Sequence, residues 1–265
     1  MRLAADLRAD LGGEWTPLEG GLSHHVWHVA RRDAPPLAVR IPDGSASALL
    51  FGRDPAAEWL ALTALDGTGL APRPVRLHGG AVVAEYLEGN PWVDDFVAVG
   101  RALRALHAQP VPEGLPRAPR CAVGAGEAIL RRCRDRALRD LRPMPAPLEG
   151  PEVFLHGDPV AGNVIMQGAT ARLIDWQCPA RGPALHDVAL FLSPAMMQIA
   201  RGRAADAEEI AAFTAGYGPL PAGAMAPLHW RMACHCQWRI EQGHGAYRAA
   251  LAAELTALAR AAAPR

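Results

Sequence analysis

Phe154-Leu155-His156-Gly157-Asp158, then Asn163, then Leu173-Ile174-Asp175-Trp176 is the stretch that decides how this chain is read. Short apolar runs at 153–155, 164–166 and 171–174 bracket the polar clusters. Runs of that length between turn residues read as strands, and strand ends deliver polar side chains to one mouth. Asp158 supplies a carboxylate, Asn163 an amide oxygen five residues on, and Asp175 a second carboxylate. Such a set suits Mg²⁺, which takes a few hard oxygen ligands at near-octahedral geometry alongside water and phosphate. It also offers a proton acceptor.

Upstream, residues 14–90 carry strand-like runs at 15–18, 26–30 and 37–41, bounded by Gly, Pro and Asp. Residues 56–65 place apolar side chains at helical spacing and are closed by Gly67 and Gly69. Two further strands, 75–77 and 81–87, flank a Gly79-Gly80 turn. Downstream the pattern turns helical: 93–108, an arginine-rich helix over 126–141, and most of 187–263 with a break at 216–221. Residues 1–13 read as a short amphipathic helix of alternating charge. The fold class expected is α+β, a small antiparallel-sheet lobe followed by a larger, mostly helical one.

Composition narrows the function classes. Lysine plus arginine and aspartate plus glutamate each number 27, so formal charge is zero and no nucleic-acid partner is indicated. Five cysteines in 265 residues do not make a secreted disulfide framework. No apolar run approaches the roughly 20 residues that span a bilayer, and the N-terminus lacks a signal-peptide core. The expectation is a soluble, reduced, cytoplasmic protein with no membrane partner. Cys234-His235-Cys236, with His229 and His244 nearby, does not meet the usual structural zinc spacings.

The pattern H-G-D-x-x-x-x-N followed by I-D-W resembles the catalytic and metal-binding motifs of aminoglycoside phosphotransferases and of choline, thiamine and homoserine kinases. These are relatives of protein kinases, whose H-R-D-x-x-x-x-N and D-F-G motifs do the same work. The resemblance runs from residue 14 to about residue 195. It implies a bilobal, protein-kinase-like fold, with residues 1–88 as a nucleotide-clamp lobe and 89–265 as the catalytic and acceptor-binding lobe. It implies transfer of the γ-phosphate of ATP, with Mg²⁺, to a hydroxyl of a small-molecule alcohol.

Carried onto this sequence, the resemblance makes Asp158 the catalytic carboxylate that accepts or orients the hydroxyl proton. Asn163 and Asp175 become the Mg²⁺ ligands, His156 braces the catalytic loop, and Asp187 ties that loop down. Arg40 takes the place of the strand lysine that grips phosphate, and Glu58, eighteen residues on, becomes its ion-pair partner. The Gly20, Gly21 and Ser23 turn lies over the phosphates. Backbone groups of Glu85 and Leu87 read the adenine, sandwiched by Leu18, Val26, Ala38, Ile165 and Ile174.

Departures from the protein-kinase pattern narrow the expectation. Gly157 stands where an arginine senses a phosphorylated activation loop, and only eleven residues separate Asp175 from Asp187. Protein substrates and phospho-switching are therefore disfavoured. For the acceptor, Trp176, Trp230, Trp238 and Glu241 suit a cationic alcohol such as choline, ethanolamine or thiamine through cation–π contact. Core packing of those tryptophans remains the open alternative, as do homoserine and an aminoglycoside as acceptors. Two other functions compete: a nucleotide-binding pseudokinase with a regulatory or scaffold role, and a metal phosphohydrolase using His156, Asp158, Asp175, His186 and Asp187.

Overall fold

Strict alternation over two long strands builds the first half of the molecule. In β2 (His24–Arg31) and β3 (Ala34–Pro42), Val29, Leu37 and Val39 point to one face, while Val26, Ala38 and Arg40 point to the other. The first face is covered by the N-terminal helix α1 (Arg2–Leu11), whose Leu7 is fully buried against Val29, Leu37 and Val39. The second face turns toward the rest of the chain. The computed structural model describes residues 2–18, 24–42, 53–221 and 223–262.

With β1 (Glu14–Pro17), β4 (Pro74–His78) and β5 (Ala81–Glu85), these strands form a five-stranded antiparallel sheet of order β1-β2-β3-β5-β4. Helix α2 (Pro55–Ala64) crosses between β3 and β4. Its start is set locally, because Asp54 accepts the N–H of Ala56 at 2.9 Å and Pro55 stands in the first turn. β5 is buried on both faces: Ala81 and Val83 join the α1 side, and Val82 and Ala84 join the main core.

From β6 (Asn90–Pro91) onward helices dominate. Helix α3 (Phe96–His107) is capped by Asp95 and buries Phe96, Val99, Leu103 and Leu106. It packs closely on α7 (Ala207–Tyr217). A Cβ on Gly100 or Gly216 would lie 2.4 Å or less from the facing backbone, so the approach of the two helices requires glycine at both. Helix α4 (Ala122–Leu130) is followed by a 3₁₀ turn at Ala137–Leu141. The single helix expected over 126–141 is thus broken. Glu241 accepts the N–H groups of Arg134 and Asp135, and Asp135 accepts that of Ala137, so side chains replace the helical ladder.

The three strands expected around the polar clusters form. β7 (Val153–Leu155) pairs with β10 (Ala180–Gly182), and β8 (Val164–Gln167) pairs with β9 (Thr170–Leu173) and β6. Five helices close the chain's second half around them: α5 (Leu185–Phe191), α6 (Pro194–Arg201), α7, α8 (Met225–Glu241) and α9 (Tyr247–Ala262). The main core runs through both halves, from Ala61 and Val82 to Phe96, Leu173 and Phe213. Leu173 also donates its N–H to the carbonyl of Leu70 at 2.9 Å, fastening β9 to the segment after α2. The architecture is α+β, an antiparallel-sheet lobe followed by a helical one.

Candidate active site

The loop that leaves β7 is held by one buried carboxylate. Asp187, in the first turn of α5 and fully buried, accepts the N–H of His156 at 2.8 Å and that of Gly157 at 2.9 Å. His107 approaches the same carboxylate at 3.2 Å, with its other ring nitrogen on the Tyr217 hydroxyl at 2.8 Å. Burial alone raises the pKa of Asp187, but the His107 hydrogen bond and charge, with His156 and the Gly157 N–H, hold it below the ordinary value.

Gly157 has φ of 83°, and a Cβ there would sit 1.8 Å from the carbonyl oxygen of Cys178. Only glycine fits this corner. The His156 ring is buried. Its Nε2 faces the carbonyl of Ile174 at 3.0 Å and its Nδ1 accepts the N–H of Asp158 at 3.2 Å, which fixes the proton on Nε2. Burial pushes its pKa down, so the ring is a neutral brace.

Asp158 follows and lines a cavity of about 990 Å³. The amide nitrogen of Asn163 donates to its backbone carbonyl at 2.9 Å and to its carboxylate at 3.4 Å. Asn163 thereby keeps its Oδ1 as the atom it can offer to a cation. Burial, and then the charge of Asp175, raise the Asp158 pKa to about 7. A carboxyl group poised there can serve as a base near neutrality.

Asp175 sits just past β9 with φ of 64°, the one non-glycine residue in the left-handed region among those described. Strain of this kind persists where the surroundings over-determine it. Here Gln177 donates to Oδ2 at 2.9 Å and Arg40 pairs with Oδ1. Arg40 comes from β3, the sheet face away from α1, and its other arm pairs with Glu58 of α2. Burial lowers the Arg40 pKa, and Asp175 opposes that effect. One guanidinium thus ties strand, helix and the Asp175 loop together. Arg40, Asp158, Asn163 and Asp175 all open on the same cavity, together with Val26.

The structure places the other expected site residues as follows. Gly20, Gly21 and Ser23 lie outside the described residues. Glu85 closes β5 and gives its N–H to the carbonyl of Arg73 at 2.9 Å, so its own carbonyl is what it can offer a base. Leu87 is buried just beyond it. Ile165 and Ile174 are half-buried on the β8–β9 hairpin and off the lining of the large cavity.

The acceptor expectation needs correction at three of its four residues. Trp176 is buried against Phe154 and His156 and donates to the carbonyl of Leu173. Trp230 is fully buried between α4 and α8, donating to the carbonyl of Leu138 at 2.7 Å. Glu241 is spent on the N–H groups of Arg134 and Asp135. All three serve the core or the chain break between α4 and the 3₁₀ turn. Trp238 does line the cavity, but its ring face carries the Arg239 guanidinium at 5.5 Å.

Four cationic side chains that the sequence reading passed over do line the cavity: Arg53, Arg117, Arg231 and Arg239. The last two were recoverable, since positions 231, 235 and 239 fall on one stripe of a helix. The hydrolase alternative needs Asp187 as a ligand, and that carboxylate is already engaged by the His156 and Gly157 N–H groups and by His107. Among the described residues no three His, Cys, Asp or Glu side chains group to hold a metal.

An antiparallel-sheet lobe whose buried cation reaches a loop carboxylate, over a helical lobe bearing a second carboxylate, defines a phosphotransferase of the protein-kinase-like class. The chain belongs to the phosphotransferase enzyme family, whose model matches residues 14–230. Solved structures share the whole fold. The choline kinase from Streptococcus pneumoniae aligns with a TM-score of 0.70 at 16% identity, covering 98% of this chain and 98% of that one. A choline/ethanolamine kinase family protein from Mesorhizobium loti gives 0.65 at 16%, with 99% and 96% covered. A macrolide 2′-phosphotransferase from Brachybacterium faecium gives 0.58 at 19%, with 96% and 97% covered. No curated protein sequence matches the chain.

Proposed function

We propose that this enzyme moves the γ-phosphate of ATP, with Mg²⁺, to a hydroxyl of a small molecule. Residues 1–88 act as the nucleotide clamp and 89–265 as the catalytic and acceptor-binding lobe. The observation that carries this reading is Arg40, buried and paired with both Glu58 and Asp175 on the cavity that Asp158 and Asn163 also line. The donor set fits Mg²⁺: a carboxylate oxygen of Asp175 and the amide oxygen of Asn163 are hard ligands, and a site with two protein donors leaves the rest to phosphate and water. Bound there, the ion supplies neutralisation of charge on the transferring phosphoryl group.

The chain's own residues do the rest. Asp158 orients the attacking hydroxyl and holds its proton. Arg40, kept in place by Glu58, meets the phosphates through a planar fork. The Gly20-Gly21-Ser23 turn covers them, and the backbone of Glu85 and Leu87, with Ile165 and Ile174, takes the base. His156 and Asp187 act on the loop and not on the substrate. Phosphoryl transfer asks for positioning and charge neutralisation, and these residues are suited to both. No observation favours the pseudokinase alternative, since base, metal donors and phosphate cation converge on one cavity.

The test is Mg²⁺-ATP consumption by purified protein against a panel of alcohols, beside Asp175→Ala. Acceptor-dependent turnover is expected, falling at least ~10³-fold in the variant, the scale of losing a principal electrostatic group. Near-normal turnover in folded Asp175→Ala would sink the assignment.

A further inference from the structure

Helix α8 presents Arg231, His235 and Arg239 to the cavity at successive four-residue steps, so two guanidinium groups stand two turns apart, about 12 Å along the axis. Arg239 is 6% exposed, and its Nε and Nη2 are buried with no hydrogen-bond partner among the described residues. Its plane is held between the rings of Trp238 at 5.5 Å and Tyr247 at 5.4 Å. A buried guanidinium with idle donors is a costly arrangement unless something supplies acceptors. Arg231 lies nearer the transfer chemistry, where the charges of Cys178 and Asp158 act on it.

Among the described residues, no carboxylate at this end of the cavity is left to pair with Arg239. Glu254 is the carboxylate there, and it is already engaged by the Ser193 hydroxyl at 2.5 Å, the Ala195 N–H at 3.1 Å and His229 at 2.7 Å. Asp158 and Asp175 belong to the transfer end. His235, pushed down to about 3 by burial and by Arg239, adds no positive charge of its own. The acidic residues elsewhere in the second half do not reach the cavity: Glu209 serves Arg201, Arg203 and the α7 cap, and Glu241 serves the loop after α4.

We propose that the acceptor is an anionic alcohol, its carboxylate or phosphate ester held by Arg239, with Arg231 between that anchor and its reactive hydroxyl at Asp158. This rests on the kinase reading above. A ligand oxyanion supplies the acceptors that Nε and Nη2 lack, and the guanidinium fork matches either anion through two parallel hydrogen bonds. A cationic alcohol meets the reverse: the aromatic face that would take it is covered by the protein's own cation.

The experiment measures binding by tryptophan fluorescence and turnover by ATP consumption, using glycerate, gluconate, glycerol 3-phosphate, glycerol, sorbitol and choline with Mg²⁺-ADP or Mg²⁺-ATP. Proteins compared are the native chain, Arg239→Met and Arg239→Lys. Anionic alcohols should bind and glycerol, sorbitol and choline should not. Arg239→Met should weaken anion binding about 30-fold or more, the scale of truncating one partner of a buried charge pair, with Arg239→Lys recovering part. The carboxylates and glycerol 3-phosphate separate the two anion sources. Choline or a neutral alcohol binding as tightly as the anions, no anion binding, or anion binding indifferent to Arg239→Met would each overturn the proposal. Absence of Mg²⁺-ATP binding in the native chain would refute the kinase reading instead.

Discussion

Replacing Asp158 with asparagine should abolish turnover and make the resting protein more stable above neutrality. The Asp158 carboxyl is half-buried, and burial with the charge of Asp175 raises its pKa from an ordinary 3.8 to about 7. A displacement of that size is worth at most ~4 kcal/mol. Solvent reaches part of the group, so about 2 kcal/mol is the working figure. The sign follows from proton binding. Between 3.8 and about 7 the folded chain holds a proton that the unfolded chain has lost, so stability falls as pH rises through that window and stays low above it. Asparagine cannot ionise, so its advantage is full at pH 8 and roughly a quarter of that at pH 4.5. In a chain of this size about 2 kcal/mol moves Tm by ~5 °C. The assay is thermal or urea unfolding of both proteins at the two pH values, in EDTA and without nucleotide. In the native enzyme kcat/KM should fall tenfold per pH unit below the Asp158 pKa, which Mg²⁺ held by Asp175 would set below its metal-free position. An Asp158→Asn chain no more stable at pH 8, or equally favoured at both pH values, would refute the claim that ionisation of this carboxyl costs the fold.

Two other substitutions test the scaffold. Gly157→Ala should cost ~3 kcal/mol or more in urea unfolding and remove activity, because the new Cβ meets the Cys178 carbonyl at a φ of 83°. Glu58→Gln leaves Asp175 as the charged partner of buried Arg40, so its cost should be about 2 kcal/mol, below that of breaking an isolated buried pair; in steady-state assays it should raise KM for ATP several-fold more than it lowers kcat.

The order of elements and the transfer end were legible because local rules agree there. Alternation in β2 and β3 separates Val39 from Arg40, and Asp54-Pro55 announces α2 with Glu58 in its first turn. The spacing from Asp158 to Asn163 to Asp175 carries the motif without help from the rest of the chain. What failed was set by distant partners. Nothing in residues 131–141 breaks a helix by itself; the break comes from Glu241, over a hundred residues away, capturing two N–H groups. The tryptophans misled for a similar reason. An indole reads alike whether it packs a core or faces a ligand, and only the partners of Trp176 and Trp230, the carbonyls of Leu173 and Leu138, distinguish the two.

The acceptor end shows where family motifs stop informing. In the proposed reading, the residues that handle ATP and Mg²⁺ face a ligand that does not vary between such enzymes, so a motif can carry them. The acceptor pocket faces whatever the enzyme was selected to phosphorylate, and its chemistry is written on one face of α8. There the decisive feature is a charge for which the described residues leave no free carboxylate. Arg239 is buried, sandwiched by Trp238 and Tyr247, and idle at two nitrogens, while the nearby Glu254 is already satisfied by Ser193 and His229. A surface arginine can find water; one at this depth needs an oxygen that arrives with the ligand. The same fold that places a positive charge on Asp175 through Arg40 therefore places another at the far end of the cavity, and an acceptor bridging Asp158 and Arg239 must present a hydroxyl to one and an anion to the other.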